Sequence, residues 1–169
     1  MQNPMKRQST LTRIVTLGLW LVGSTAAFGE PSAVNGVSDA DVARSVLETN
    51  AKMTQAANNM DFDGFFSYMV DSDQCVILQN GKVFKSRAEA LESIKKGYMD
   101  VTKVDRRFDH PQVTVISPDV ALLASEGHVA ATLTDGRTVE TRFAVSLVFV
   151  KRDGQWKVLQ GHYSMPPRM

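Results

Sequence analysis

The sequence predicts an α+β domain, with about three helices near the N-terminus packed on one face of a curved antiparallel sheet. Three observations predict it. Apolar residues recur at helical spacing from Val42 to Met69. From Thr102 onward the chain reads as strands. Those strands are punctuated by Pro118-Asp119, Asp135-Gly136 and Asp153-Gly154, and Asp-Gly between two strands is a strong hairpin signal.

The elements follow in order. Lys6, Arg7 and Arg13 give a positive start, Ile14–Val22 an apolar run, and Gly23–Gly29 a stretch of small residues. That order is the order of a secretory signal peptide. The run is shorter than the ~20 residues that a membrane span needs. The expectation is an exported chain, periplasmic or secreted, with residues 1–29 removed and no membrane attachment afterwards. Residues 30–37, with Pro31, Asn35 and Gly36, read as a flexible lead, and residues 38–166 as the domain. A chain of 169 residues with a net charge of +1 fits one domain. It has no basic stripe, so a nucleic-acid partner is not expected. Cys75 is the single cysteine, which excludes an internal disulfide, and within "CVIL" it reads as a buried thiol.

Ser38 opens the first helix, with an acid three residues on. Val42, Val46, Thr49, Met53, Ala56 and Ala57 form its apolar stripe. Asp61 caps a short second helix that carries Phe62, Phe65, Phe66 and Met69. "QCVILQNGKVFKS" reads as a hairpin about Asn80-Gly81. "SRAE", beginning at Ser86, is a capping box for a third helix with Ala90, Leu91, Ile94 and Tyr98 on its buried face. Four strands follow, roughly 102–117, 120–133, 138–151 and 155–164.

The two Asp-Gly turns set an expected register. As two-residue loops they pair Thr134 with Arg137 and Arg152 with Gln155. Counting back, Glu126 and His162 flank Val145, at backbone positions about 10 Å apart. His128 and Ser164 flank Phe143 in the same way, and Gln160 lies beside Leu147. One face then carries Leu122, Phe143, Val145, Leu147, Phe149, Trp156 and Val158 as core, and Glu126, His128, Gln160, His162 and Ser164 share it. The result requires strands without a bulge, because a one-residue slip exchanges the faces. If Val113 and Val115 face the core, Arg107 and Asp109 join them, with Pro111 marking a bulge between. The other face, with Ala121, Leu123, Ser125, Gly127, Ala144, Ser146 and Gly161, is small and mildly apolar. A solvated face would carry more charge, so a homodimer partner is expected there.

This register defines the candidate site. A carboxylate on a core face is costly unless paired, so Glu126 implies a pocket or a partner. With Glu126 beside it, His162 has the chemistry of a general acid/base, and Asp109 is a second candidate carboxylate. Glu126, His128 and His162 together would be a two-histidine, one-carboxylate metal set. The valine strand between them argues against convergence, and no metal is expected. Gln160, Ser164, Tyr68, Tyr98 and Asn50 complete the candidate lining. There is no phosphate loop, CxxC pair, HExxH or nucleophile elbow, so no cofactor is expected.

"GKVFKSRAEALES" and "DGQWKVLQGHYS", with this order of helices and strands, resemble the nuclear transport factor 2-like superfamily, specifically its SnoaL-like group. The resemblance covers Ser38–Pro166. It implies a cone-shaped sheet curled around the helices, a ligand pocket inside the cone, and dimers through the outer sheet face. The second motif also resembles the ending of the association domain of calcium/calmodulin-dependent kinase II. The arginine positions of that domain's pocket fall near Glu126 and Leu147 here, so its anion site is not carried over. The base of the related ketosteroid isomerase falls near Gln79 or Asn80, and neither amide can serve. Three classes of function follow: a binder of a small, partly apolar molecule; an isomerase, dehydratase or hydrolase using His162 with Glu126 or Asp109; and an assembly module with a filled cone.

Overall fold

Capping serines and aspartates begin the helices where their spacing places them. In this computed structural model, which describes residues 36–72, 74–79 and 81–166, helix α1 spans Asp39–Asn58 and is capped by the Ser38 hydroxyl, which accepts from the Asp41 amide. Asp61 caps α2 (Phe62–Ser67) and Ser86 caps α3 (Arg87–Gly97). The Glu89 amide donates to the Ser86 hydroxyl, and the Glu89 carboxylate accepts from the amide of Lys85, one residue before the cap, a variant of the capping box. The signal peptide and nearly all of the lead read from the sequence lie outside the described residues. No described helix is long and apolar enough to cross a membrane.

Six strands form one sheet: β1 (Val76–Gln79), β2 (Lys82–Phe84), β3 (Val101–Ser117), β4 (Val120–Leu133), β5 (Thr138–Arg152) and β6 (Gln155–Ser164), in the order β2-β1-β6-β5-β4-β3. The expected antiparallel meander is present from β3 to β6, and β1 adds to β6 in parallel, making the sheet mixed. The helices cover the concave face, and the α+β cone is the architecture observed. Phe149, Met53, Leu123, Leu147 and Val46 are fully buried between the two layers.

Two local features overturn the expected register. The β4–β5 turn is a three-residue loop, Thr134-Asp135-Gly136. The Leu133 amide donates to the Arg137 carbonyl, and Gly136 takes a φ of +85°. This is the three-residue hairpin with glycine in the left-handed position. It pairs Glu126 with Ala144 and Ser125 with Val145, one residue away from the expected register. The β5–β6 turn is the expected two-residue loop, with Asp153 and Gly154 both at positive φ (51° and 76°). Beyond it a bulge at Leu159 shifts the pairing, so that Phe149 opposes Val158 but Val148 opposes Gln160. A bulge turns every later side chain to the other face. Gly161 and Tyr163 therefore point inward, and Gln160, His162 and Ser164 point outward.

The core face of β4 is accordingly Ala121, Leu123, Gly127 and Val129, and Leu122 is exposed. Expected inward positions on β5 hold: Phe143, Val145, Leu147 and Phe149 are buried, as are Trp156 and Val158 on the first part of β6. The small, apolar residues expected to face a partner are mostly core. The outer face instead carries Glu126, His128, Arg142, Gln160 and His162 around Ala124, Ala144 and Ser146.

Candidate functional site

Strand β3 contains the bulge that Pro111 signals. The pairing shifts between Asp109 and Gln112, and His110 sits at a φ of 51°. Val113 and Val115 face inward on one side of it, and Val104, Arg106 and Phe108 on the other. Arg107 and Asp109 do not share the core face, because the bulge reverses the alternation before it. They lie outward, opposite His128 and Glu126.

The expected cluster around His162 is thus on the convex surface. Asp109 and His128 do meet, with Oδ2 and Nδ1 3.0 Å apart, both partly solvated. Glu126 pairs with Arg142 at 3.2 Å rather than with His162. His162 lies opposite Ser146, and Glu126 opposite Ala144, so they no longer flank one residue. Glu126, His128 and His162 form no group able to hold a metal ion. Gln160 and Ser164 are exposed on the same outer face. Tyr68 packs near Lys157, whose ammonium is 5.9 Å from the ring centre. Asn50 is buried on α1 and lines an open groove between α1 and β3, with Leu47, Thr54, Phe108 and Pro111. Of the expected site residues, Tyr98 alone lines the interior cavity.

That cavity lies between the three helices and the sheet. Its walls are apolar and aromatic, chiefly Phe62, Phe65, Phe66, Met69, Ile77 and Phe84. Four polar side chains reach it: Gln79, Tyr98, Arg106 and Tyr163. The unfilled space measures about 540 Å³ with its open mouth, and most of it is too narrow to admit a water. The remainder is room for one or two waters. At the rim, Phe62 and Tyr98 close on each other with ring centres 5.0 Å apart.

Arg106 is the unusual member. It is 8% exposed, and its Nε has no hydrogen-bond partner among the described residues. The guanidinium stands 5.7–5.9 Å from the ring centres of Phe65, Phe143 and Tyr163, which supports a cation from three sides. The Asn58 carboxamide fixes its backbone. Asn58 accepts from the Arg106 amide at 2.7 Å and donates to the Arg106 carbonyl at 3.1 Å. These are edge-strand groups that no neighbouring strand satisfies. Tyr163 is buried beside the guanidinium. Burial pushes its hydroxyl above the ordinary tyrosine range, and the Arg106 charge opposes that shift. The phenol therefore stays protonated at neutral pH and can donate.

Sequence reasoning missed Arg106 and Tyr163 for one reason each. The β3 bulge conceals the parity of Arg106, and the β6 bulge that of Tyr163. A usable signal existed for the first: Val104, Arg106 and Phe108 alternate on one face in "VDRRF".

The curved sheet closed by helices over an apolar cavity is the cone fold of the nuclear transport factor 2-like class. The chain belongs to the SnoaL-like domain family, whose model matches residues 46–168. No curated protein sequence matches it. Among solved structures it resembles a nuclear transport factor 2-like superfamily protein from Salmonella enterica serovar Typhimurium LT2. The identity is 18%, over 78% of this chain and 96% of that one, with a TM-score of 0.69. A candidate dehydratase of the same fold family from Streptomyces avermitilis is 19% identical, over 78% of this chain and all of that one (100%), with a TM-score of 0.67. A candidate scytalone dehydratase from Novosphingobium aromaticivorans is 13% identical, over 73% and 83% of the two chains, with a TM-score of 0.66. These likenesses establish the fold.

Proposed function

We propose that this chain is an exported domain that binds a small, largely apolar molecule in the cavity between helices and sheet. The observation that carries the reading is the cavity's composition: a continuous aromatic and aliphatic wall with Gln79, Tyr98, Arg106 and Tyr163 converging on it. Ligand sites have this character, apolar walls with a few placed polar groups. The space is tight, so binding requires the Phe62 and Tyr98 rings at the rim to part. An assembly module with a filled cone would also be tight, but it has no use for a buried arginine with an unsatisfied Nε.

Candidate dehydratases among the proteins of similar fold raise an enzymatic reading. The described lining contains no carboxylate or imidazole to move a proton, and His162, Glu126 and Asp109 lie on the other side of the sheet, so binding is the better-supported role. Export rests on the signal-peptide pattern of residues 1–29. A homodimer would use the small centre of the outer face, around Ala124, Ala144 and Ser146 beside the exposed Leu122, and light scattering of the purified chain tests it.

Native mass spectrometry of protein purified from its own source tests the central reading. The expected result is a stoichiometric small-molecule adduct, absent from an Ile94→Trp variant whose indole fills the cavity from its α3 wall. Bare polypeptide in both, together with no thermal shift from a panel of small aromatic acids and amides, contradicts it.

A further inference from the structure

We infer that the molecule this cavity accepts is an organic carboxylate, an apolar ring or chain whose acid group pairs with Arg106. The inference rests on the ligand-binding reading and gives it a chemical class.

Among the described residues, Arg44, Arg87, Arg107, Arg137 and Arg142 each face an acidic side chain. Two arginines enter no ion pair. Arg152 is exposed, and water serves it. Arg106 is more than nine-tenths buried, and no carboxylate of the described residues forms an ion pair with it. A guanidinium does not shed its proton in a protein, and a buried charge without a counter-charge is costly. The three aromatic rings steady the charge from their faces, but they do not replace the oxygen acceptors that guanidinium N–H groups require. The Nε–H remains without an acceptor.

The neighbours favour an anion as well. Tyr163, Tyr98 and Gln79 can each donate to an oxygen, and the described lining offers no acidic side chain to compete with a ligand. Asn58 holds the Arg106 backbone at both its amide and its carbonyl, so the cation is placed before the ligand arrives. The walls beyond it are hydrocarbon, which favours an acid with an apolar body, admitted when the Phe62 and Tyr98 rings part, over inorganic phosphate or sulfate. Those ions would leave the Phe65, Ile77 and Phe84 walls uncovered. A carboxylate fits the planar fork of the guanidinium with two parallel hydrogen bonds, and its apolar body covers the rest.

The test uses matched probes on the full chain: benzoate against benzamide, and 2-naphthoate against 2-naphthamide, titrated by calorimetry. Wild-type protein should bind each carboxylate at least tenfold more tightly than its amide. Arg106→Met should weaken the carboxylates at least tenfold and leave the amides within about threefold. Arg106→Lys should fall between, because it keeps the charge and loses the fork. Retained amide binding by Arg106→Met shows that the variant is folded. If that variant does not fold, the wild-type acid-to-amide ratio and Arg106→Lys decide. Equal affinity for acid and amide overturns the inference and leaves the ligand-binding reading standing. Binding of neither series at millimolar concentration overturns both.

Discussion

Replacing Arg106 with methionine should stabilise the ligand-free protein, against the usual direction for a buried substitution. Methionine keeps the stem of the side chain and removes the charge. The loss is three ring contacts at 5.7–5.9 Å, near the outer limit of the interaction, together about 1.5 kcal/mol. The gain is relief from an uncompensated buried ion, which costs several kcal/mol. The balance favours the variant by about 2 kcal/mol, or about 6–10 °C in melting temperature for a domain of this size. Urea denaturation of protein stripped of ligand by unfolding and refolding measures it. An Arg106→Met protein less stable than wild type by ~1 kcal/mol or more would show that the guanidinium is already compensated. Arg106 would then have no need of a carboxylate ligand.

Asn58→Ala should cost about 1–3 kcal/mol, since it leaves the amide and carbonyl of Arg106 without partners at a part-buried edge. It should also weaken carboxylate binding, which calorimetry on the folded variant would read. Gly127→Ala should be among the most damaging single-methyl changes. A Cβ there would lie 2.3 Å from the Arg107 carbonyl oxygen and 2.5 Å from the Phe143 ring, and a loss of at least ~2 kcal/mol in urea is expected; a neutral outcome would mean that Phe143 is not packed on the glycine. Tyr163 sets an alkaline limit. Burial holds its hydroxyl above the ordinary value of 10.0 in the folded state, so the unfolded chain loses the proton first. The stability from this group is complete below about pH 10 and declines as pH rises from there toward the folded value. Urea midpoints from pH 8 to 11 should fall less steeply for Tyr163→Phe than for wild type, and parallel curves would contradict the assignment.

Much of the architecture was legible because it rests on local chemistry. Ser38, Asp61 and Ser86 mark helix starts through hydrogen bonds made within three residues, and the apolar stripes Val42-Val46-Met53 and Phe65-Phe66-Met69 carry their own period. The meander was legible from its turns. The site was not, because a site depends on parity, and parity changes with one residue. "TDG" and "DG" both end in glycine, yet Gly136 closes a three-residue loop and Gly154 a two-residue loop. Leu159 in "KVLQGH" has no sequence mark of a bulge at all. That one extra residue moves His162 from the cone to its surface and Tyr163 from the surface into the cone. The parallel addition of β1 to β6 was also hidden, since nothing in a four-residue apolar run specifies its partner.

A crystal structure of the chain soaked with 2-naphthoate tests the central claim most directly. The ring should lie among Phe65, Ile77 and Phe84, with the rim opened at Phe62 and Tyr98, and the carboxylate oxygens about 2.7–2.9 Å from the Arg106 nitrogens. A ligand found instead on the convex face beside His162 and His128, or an interior that stays closed at saturating ligand, would contradict it.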